Sequence, residues 1–408
     1  MAIDSKAPTV ALDTVGCKLN QAESQLFARQ FAEKGYRLVS ADDGADVYIL
    51  NTCTVTHVAD GKCRKLLSQA RRRNPETLVV AVGCYVERVR QDLAQIKGVD
   101  LVFDNSQKMG LVTRLEEGGY LNPPSSLAST KADFRTRAFV RVQDGCNNFC
   151  AYCIVPLVRG RERSLPADGV IAEIKQRVDE GDKEVVLTGT EIGAYNCEDA
   201  GLPEMLKRIL AETDIARLRL SSLQPPEITH ELLELWRDER LCRHFHLSLQ
   251  SGSDSVLKRM GRRYSAADYR QAVDSIREAV PEAAITTDII VGFPGESDDE
   301  FQESYDLAKQ MQFARIHVFP YSPRPGTKAA DMPHHVVDKV KQERSRKMLA
   351  LGRQAVRNFR KRFVGQTVMV LWEKESGGLW SGLTDNYIRV FTKSDKDLTN
   401  QLLPVRLV

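Results

Sequence analysis

The chain has 408 residues, enough for two or three domains at about 150 residues each. At 42% hydrophobic residues it can bury proper cores, which excludes wholesale disorder. Charges nearly cancel, 58 Lys and Arg against 55 Asp and Glu, so the whole chain is no polyanion binder and any basic surface must be local.

Residues 1–120 alternate β-rich runs with helical patterns. Strands are predicted at 9–14, 46–51, 78–82 and 100–103, with helices at about 20–34, 55–73 and 85–96. Apolar strands separated by single helices imply an α/β fold with a doubly wound parallel sheet. The stretch 119–133, GYLNPPSSLASTKAD, reads as a linker, drawn at 121–135. From 136 to 334 the alternation restarts, with strands near 138–143, 184–188, 217–221, 244–249, 285–291 and 314–319. Helices are expected at 169–180, 202–212, 265–279 and 298–311. Six such units without a Gly-rich dinucleotide fingerprint point to a partial (β/α)6 barrel. A basic helical connector follows at 335–364, and the tail 365–408 alternates in short strands broken by GG and DN turns, the pattern of a small β-barrel. No run of about 18 apolar residues occurs, and the first residues lack a signal-peptide core, so a cytoplasmic protein with no membrane segment is expected.

Nine cysteines need a reason, and disulfides are a poor one in a reducing compartment. The segment CNNFCAYC places Cys146, Cys150 and Cys153 in a C-x3-C-x2-C set. Compact runs of this kind hold iron–sulfur clusters through thiolates, and three ligands would leave one iron of a cubane open. Zinc is the rival, but the loop holds no histidine or fourth cysteine. Three further cysteines, Cys17, Cys53 and Cys84, each lie two or three residues beyond a predicted strand of the first sheet. In a parallel sheet those ends share one edge, so the thiols either converge on a second cluster or serve as small core residues. Cys63, Cys197 and Cys242 have no cysteine partner at ligand spacing and read as non-ligands.

C-x3-C-x-aromatic-C, with Tyr152 in the aromatic position, resembles the radical S-adenosylmethionine (SAM) superfamily. The resemblance implies SAM chelated at the open iron. GCKLNQAES (16–24), NTCTVTHVAD (51–60) and VGCY (82–85) resemble the methylthiotransferase N-terminal domain, and the tail resembles the TRAM domain of the same enzymes. That resemblance implies an auxiliary 4Fe–4S cluster on Cys17, Cys53 and Cys84. GCK-x-N and NTCTVT are similar to the branch acting on N6-threonylcarbamoyladenosine in tRNA, whereas GCQ-x-N marks the isopentenyladenosine branch and GCPKN the ribosomal-protein branch.

SAM contacts are expected at the carboxyl ends of the barrel strands. LTGTE offers Gly189 and Glu191, SSLQP offers Ser222, LQSGS offers Gln250 and GFPGE offers Gly292 and Phe293, where glycine would let backbone approach adenine. Asp288 is expected inside the barrel, as ligand or as buried hydrogen-bonding group. For the substrate, Arg159, Arg161 and Arg163 are the candidate cations.

From Lys339 to Arg362 there are ten Lys or Arg and one acid, Glu343, more than a solvated helix face requires. With Trp372, Trp380, Tyr387 and Phe391 in the tail, this suggests an RNA surface; KCRKLLSQARRR (62–73) adds a second basic segment. The resemblance implies two 4Fe–4S clusters and SAM, a tRNA anticodon loop as substrate, a reductant such as flavodoxin or ferredoxin, and a sulfur donor. The alternatives are isopentenyladenosine tRNA or a ribosomal protein as substrate, and outside catalysis an iron–sulfur RNA-binding protein.

Overall fold

The computed structural model describes residues 8–93, 98–122, 136–198 and 200–408, so the expected linker lies, but for its first two residues, outside the described residues. The chain forms two compact units. One takes the described residues before 135 together with Ile154–Gly160, and the other takes those of Arg135–Cys153 and Arg161–Val408.

The first unit is built on five parallel strands in the spatial order Arg37–Val39, Thr9–Thr14, Val47–Thr52, Leu78–Gly83, Leu101–Phe103. Val47–Thr52 is buried at every position, as a central strand covered on both faces must be. Successive residues point to opposite faces. Val10, Ile49 and Val82 meet Phe27 and Phe31 of helix Lys18–Glu33 and Leu115 of Leu111–Glu117. Ala11, Leu50 and Ala81 meet Leu67 and Ala70 of helix His57–Arg73 on the other side. The sheet is therefore doubly wound. The edge strand Arg37–Val39 escaped the sequence reading because three half-exposed residues carry no readable period.

The second unit holds strands Arg137–Arg141, Glu184–Thr188 and Arg217–Leu220 in one parallel sheet, and Ser222–Leu223, His244–Leu247, Ala284–Val291 and Arg315–Pro320 in another. A parallel bridge from Leu218 to Leu241 links them. One face is apolar: Val185, Leu218, Phe245, Ile285 and Ile316 pack with helix residues such as Ile174, Leu206, Ile276 and Leu307. The alternate positions, including Glu184, Arg219, His246 and Asp288, fall on the other face, so the pleat gathers polar groups on one side of the sheet. Helix Asp338–Lys361 buries Met348 in this core and lays Gly352 against Ile316, so it covers the last strand rather than bridging two modules.

The tail is a four-stranded antiparallel sheet in the order Arg389–Thr392, Leu379–Thr384, Thr367–Ser376, Leu402–Arg406. Gly377 and Gly378, both with positive φ, form the tight turn that the GG pair predicts. A bulge between Trp372 and Lys374 re-aims Glu373, which accepts from Arg137 Nε and Arg389 Nη1 at 2.7 Å each. The tail packs on the amino-terminal ends of the second unit's strands. Arg217 donates to the carbonyls of Leu383 (3.0 Å) and Met369 (2.6 Å), and Tyr387 stacks on His244 with ring centroids 4.2 Å apart.

Candidate functional site

In the first unit the strand order reverses between Thr9–Thr14 and Val47–Thr52, the kind of crevice where ligands settle. Cys17 follows the former strand, Cys53 follows the latter, and Cys84 opens the helix Cys84–Leu93 beyond the next. Burial pushes the Cys53 thiol up to about 12, and the neighbouring Cys17 and Cys84 add to the rise. Cys53 and Cys84 are buried and Cys17 is exposed. A buried thiol held protonated is a poor free nucleophile but gives up its proton to a metal, so the trio suits a cluster. The backbone makes room for it. Gly16 has φ +117°, and a Cβ there would lie 2.6 Å from Cys53 Cβ and 3.0 Å from its Sγ. Val55 N donates to Cys53 Sγ at 3.5 Å and Asn105 Nδ2 to Cys84 Sγ at 3.7 Å, the kind of donors that metal-bound sulfur accepts. Cys63 is fully buried and points its thiol at the Cys53 carbonyl, 3.6 Å away.

Beside Cys84 lies an ionic network of which the sequence had singled out Arg159, though for another role, and two positions inside GCKLNQAES, but not Lys108. Glu23 Oε1 accepts from Lys108 Nζ at 2.6 Å and from Arg159 Nη1 at 3.0 Å, while Arg159 Nη2 donates to Asn20 Oδ1 at 2.6 Å. Burial alone would raise the Glu23 carboxyl; Arg159 and then Lys108 outweigh it and hold it at about 2. Arg159, expected at the substrate, is thus a buried member of the first unit.

In the second unit the C-x3-C-x2-C loop is held at several points. Ala151 N donates to Met260 O at 2.8 Å, and Ala151 O accepts from Ala329 N at 2.8 Å. Cys146 Sγ donates to Glu191 Oε2 at 3.2 Å, and Asn148 Nδ2 spans both Glu191 oxygens at 2.7 and 2.6 Å. Burial is the main reason Cys146 stands at about 12, with the Glu191 carboxylate adding to it. Arg262 Nη1 donates to Cys150 Sγ at 3.2 Å and Nη2 to Gln224 Oε1 at 2.6 Å, while Gln224 Nε2 donates to Glu191. Burial and the adjacent Glu191 raise Glu227 well above the usual carboxylate range. Arg262 and Glu227 are far from the loop in sequence and no local motif announced them, while Gln224 lies inside SSLQP, which was read for Ser222.

The other expected residues separate into groups. Gly189 is needed for close packing, since a Cβ there would meet Gln143 Oε1 at 2.8 Å, the atom that accepts from Glu191 N at 3.0 Å. Gln250 sits at φ +66° and exchanges backbone hydrogen bonds of 2.8 Å with Asp288 and Ile290. Ser222 lies on the short strand opposite His246. Gly292 and Phe293 do not leave an open face for adenine. Lys341 fills the space a Gly292 side chain would take, with Cγ 2.2 Å from the ideal Cβ, and Phe293 is fully buried against Ala151, Val256 and Met260. Tyr152 packs on the same cluster. Arg161 lies over the exposed Phe149 ring at 4.3 Å, and Arg163 pairs in the short strand with Asp144.

Three buried hydroxyls near these strand ends, Thr188, Thr190 and Ser221, have no hydrogen-bond partner among the described residues. Orphaned buried donors are costly, about 1–3 kcal/mol each, and a polar ligand would satisfy them. Ser221 falls on the face of Arg219, two residues earlier, which the strand period decides and the motif did not. Asp288 accepts from His246 Nε2 at 3.1 Å and lies with His317 in a cluster whose ligand atoms are within 4.8 Å of one another. In the tail, Trp372 and Trp380 are core and Phe391 is 59% exposed. In the 62–73 segment Arg64 bonds Tyr85 and Arg73 bonds Asp42 at 2.7 Å, so part of that charge is used locally.

Comparison with known proteins agrees with this geometry. Residues 140–308 match the radical SAM superfamily, and 9–104 match the uncharacterized protein family UPF0004. The chain is 36% identical over 422 residues to the threonylcarbamoyladenosine tRNA methylthiotransferase MtaB of Bacillus subtilis (strain 168), covering 98% of this chain and 94% of that one. Identity is 38% over 406 residues to MtaB of Aquifex aeolicus (strain VF5), at 95% and 98% coverage. The tRNA-2-methylthio-N(6)-dimethylallyladenosine synthase of Methylacidiphilum infernorum (isolate V4) is 32% identical over 435 residues, at 98% and 92% coverage. Among solved structures, the radical S-adenosylmethionine methyltransferase TsrM from Kitasatospora setae, with cobalamin and a [4Fe-4S] cluster bound, shares the fold. Its TM-score is 0.57 at 14% identity, over 80% of this chain and 74% of that one. Two cysteine trios on two parallel-sheet units, matched along nearly the whole length by such relatives, place the chain in the radical SAM methylthiotransferase family.

Proposed function

We propose that this protein converts N6-threonylcarbamoyladenosine at position 37 of tRNA to its 2-methylthio derivative by radical SAM chemistry. The observation that carries the reading is the convergence of Cys17, Cys53 and Cys84 from three separate strand ends, a second cysteine trio that could carry the sulfur to be transferred, in a chain that also holds the C-x3-C-x2-C loop. Cys146, Cys150 and Cys153 would hold one 4Fe–4S cluster and Cys17, Cys53 and Cys84 the other. When bound, the first with SAM supplies the radical that takes hydrogen from adenine C2, and the second supplies the sulfur, methylated by another SAM, that joins that carbon.

The chain's own residues hold and orient. Arg262 steadies Cys150 and, through Gln224, the Glu191 carboxylate; Asn148 locks the same carboxylate beside Cys146. The hydroxyls of Thr188, Thr190 and Ser221 suit the polar groups of SAM, and Tyr152, Gly189, Glu191, Ser222 and Gln250 would join them in holding it. The two parallel sheets of the second unit fit a partial (β/α)6 barrel, and the tail fits a TRAM-like RNA-binding module.

Exposed Arg346, Lys347, Arg353, Arg357 and Arg360 on helix Asp338–Lys361 would take tRNA phosphates. An anticodon loop is the accessible target, since its unpaired adenosine can be unstacked for a few kcal/mol. A flavodoxin- or ferredoxin-like reductant and a sulfur donor complete the partners, in the cytoplasm. Among the described residues no helix is long and apolar enough to cross a membrane. Mass spectrometry of nucleosides from cells lacking and regaining the protein tests the reading. The 2-methylthio derivative should vanish and return, and its persistence without the protein would overturn it.

A further inference from the structure

The network behind Cys84 is larger than packing requires. Lys108, Arg159 and Glu23 have side chains 1%, 3% and 0% exposed, and charges so deeply buried cost several kcal/mol each unless something nearby repays them. Glu23 serves both cations at once. From there the contacts lead to sulfur. Lys108 Nζ donates to Asn105 Oδ1 at 2.6 Å, and the same amide donates through Nδ2 to Cys84 Sγ at 3.7 Å and to Val158 O at 2.5 Å. A cation on the oxygen side of an amide strengthens the donor on its nitrogen side.

We propose that Lys108 and Arg159, with Asn105 as relay, set the reduction potential of the cluster held by Cys17, Cys53 and Cys84, acting as positioning residues that touch no substrate. The inference rests on the proposed function for the existence of that cluster. Reduction adds one negative charge. A buried cation therefore stabilises the reduced form more than the oxidised one and raises the potential, as does a hydrogen bond to ligand sulfur. Glu23 holds the cations in place and partly cancels them.

The test uses the full-length chain carrying Cys146→Ala, Cys150→Ala and Cys153→Ala, reconstituted anaerobically so that one cluster remains. Its midpoint potential is read by redox titration with electron paramagnetic resonance. Lys108→Met and Arg159→Met should lower the potential and Glu23→Gln should raise it, while Arg159→Lys should leave it near the parent value. Shifts of opposite sign from opposite charges are not produced by a loosened fold. Should one charge-removing variant not retain a cluster, the other decides. If both lose it, Asn105→Ser decides, since it keeps every charge and must still lower the potential. Unchanged potentials, or shifts of one sign throughout, overturn the inference. A parent that binds no iron instead defeats the assignment of Cys17, Cys53 and Cys84, which is a separate failure.

Discussion

Arg219 and Glu184 face each other on adjacent parallel strands, with Nε 2.7 Å from Oε1, Nη2 3.2 Å from Oε2, and neither side chain exposed. The remaining guanidinium donors go to the tail, to Thr384 O at 3.1 Å and Asp385 O at 2.8 Å. The ion pair and the tail therefore depend on each other. Truncation before Gly365 is expected to destabilise the second unit, lowering its thermal midpoint or leaving it insoluble, as well as weakening RNA binding. Glu184→Ala, which strips Arg219 of its carboxylate, should cost about 3–5 kcal/mol in denaturant unfolding. An unshifted melt in both proteins would show that the tail is an appended module.

Acid should find the same groups. Arg219 outweighs burial to hold Glu184 below its ordinary value, and Arg159 and Lys108 hold Glu23 at about 2. A carboxylate depressed in the folded state stabilises it above the unfolded pKa of about 4.3, and that stability drains away as pH falls toward the folded value. Stability of the iron-free chain should be flat in this term near neutrality and fall between about pH 4 and 2. Glu23→Gln should be less stable at pH 7 and flatter below pH 4. Parallel pH curves for the two proteins would contradict this.

Iron analysis separates the trios. Reconstituted protein should hold about eight irons, as two cubanes. Triple Ala replacement at either trio should leave about four. Only the Cys146, Cys150, Cys153 variant should lose reductive cleavage of SAM to 5′-deoxyadenosine. Gly16→Ala should resemble the other triple variant, because its new methyl would press on Cys53 at 2.6 Å. Eight irons in the Gly16→Ala protein would mean that the Gly16 approach is not needed.

Salt reads the RNA surface. If exposed cations of helix Asp338–Lys361 meet phosphates, tRNA affinity should fall steeply with salt, and Arg353→Ala with Arg357→Ala should reduce the slope by about two. Phe391→Ala should weaken binding by about 1–3 kcal/mol if that ring stacks on a base. Filter binding between 50 and 200 mM salt, roughly the range over which such complexes lose most affinity, measures both.

The substrate is tested by offering matched tRNAs bearing threonylcarbamoyladenosine, isopentenyladenosine or plain adenosine. A pocket that pairs with a carboxylate and a hydroxyl loses those bonds with an isopentenyl group, so preference for the first should be large. Preferred thiolation of the isopentenyl tRNA would move the protein to another branch.

What could be read in advance was whatever local pattern records. The strand Val47–Thr52 and the helix His57–Arg73 announce themselves by apolar continuity and period, and the cysteine loop by spacing. Arg262 could not be read, because its partner Cys150 is distant in sequence and meets it only through the fold; SSLQP was read for Ser222, and only the fold shows its Gln224 reaching Glu191. Arg159 was singled out as a cation, yet its partner Glu23, 136 positions away, makes it part of a buried network. Gly292 shows the same limit: a glycine in a turn suggests an open face, and only the packed helix reveals Lys341 occupying it.

The segment Ile154–Gly160 has a further consequence for how this protein can be taken apart. It belongs to the first unit although the chain has already entered the second, so that unit is not a contiguous stretch of gene. A fragment ending near 134 would carry Glu23 and Lys108 but leave Arg159 behind, and with it Val158, whose carbonyl takes the Asn105 hydrogen bond. Recombination between relatives at that boundary would mate one parent's carboxylate with the other's guanidinium. Chimeras that keep both pieces from a single parent should behave as that parent does, and those that divide them should hold the cluster of Cys17, Cys53 and Cys84 less firmly.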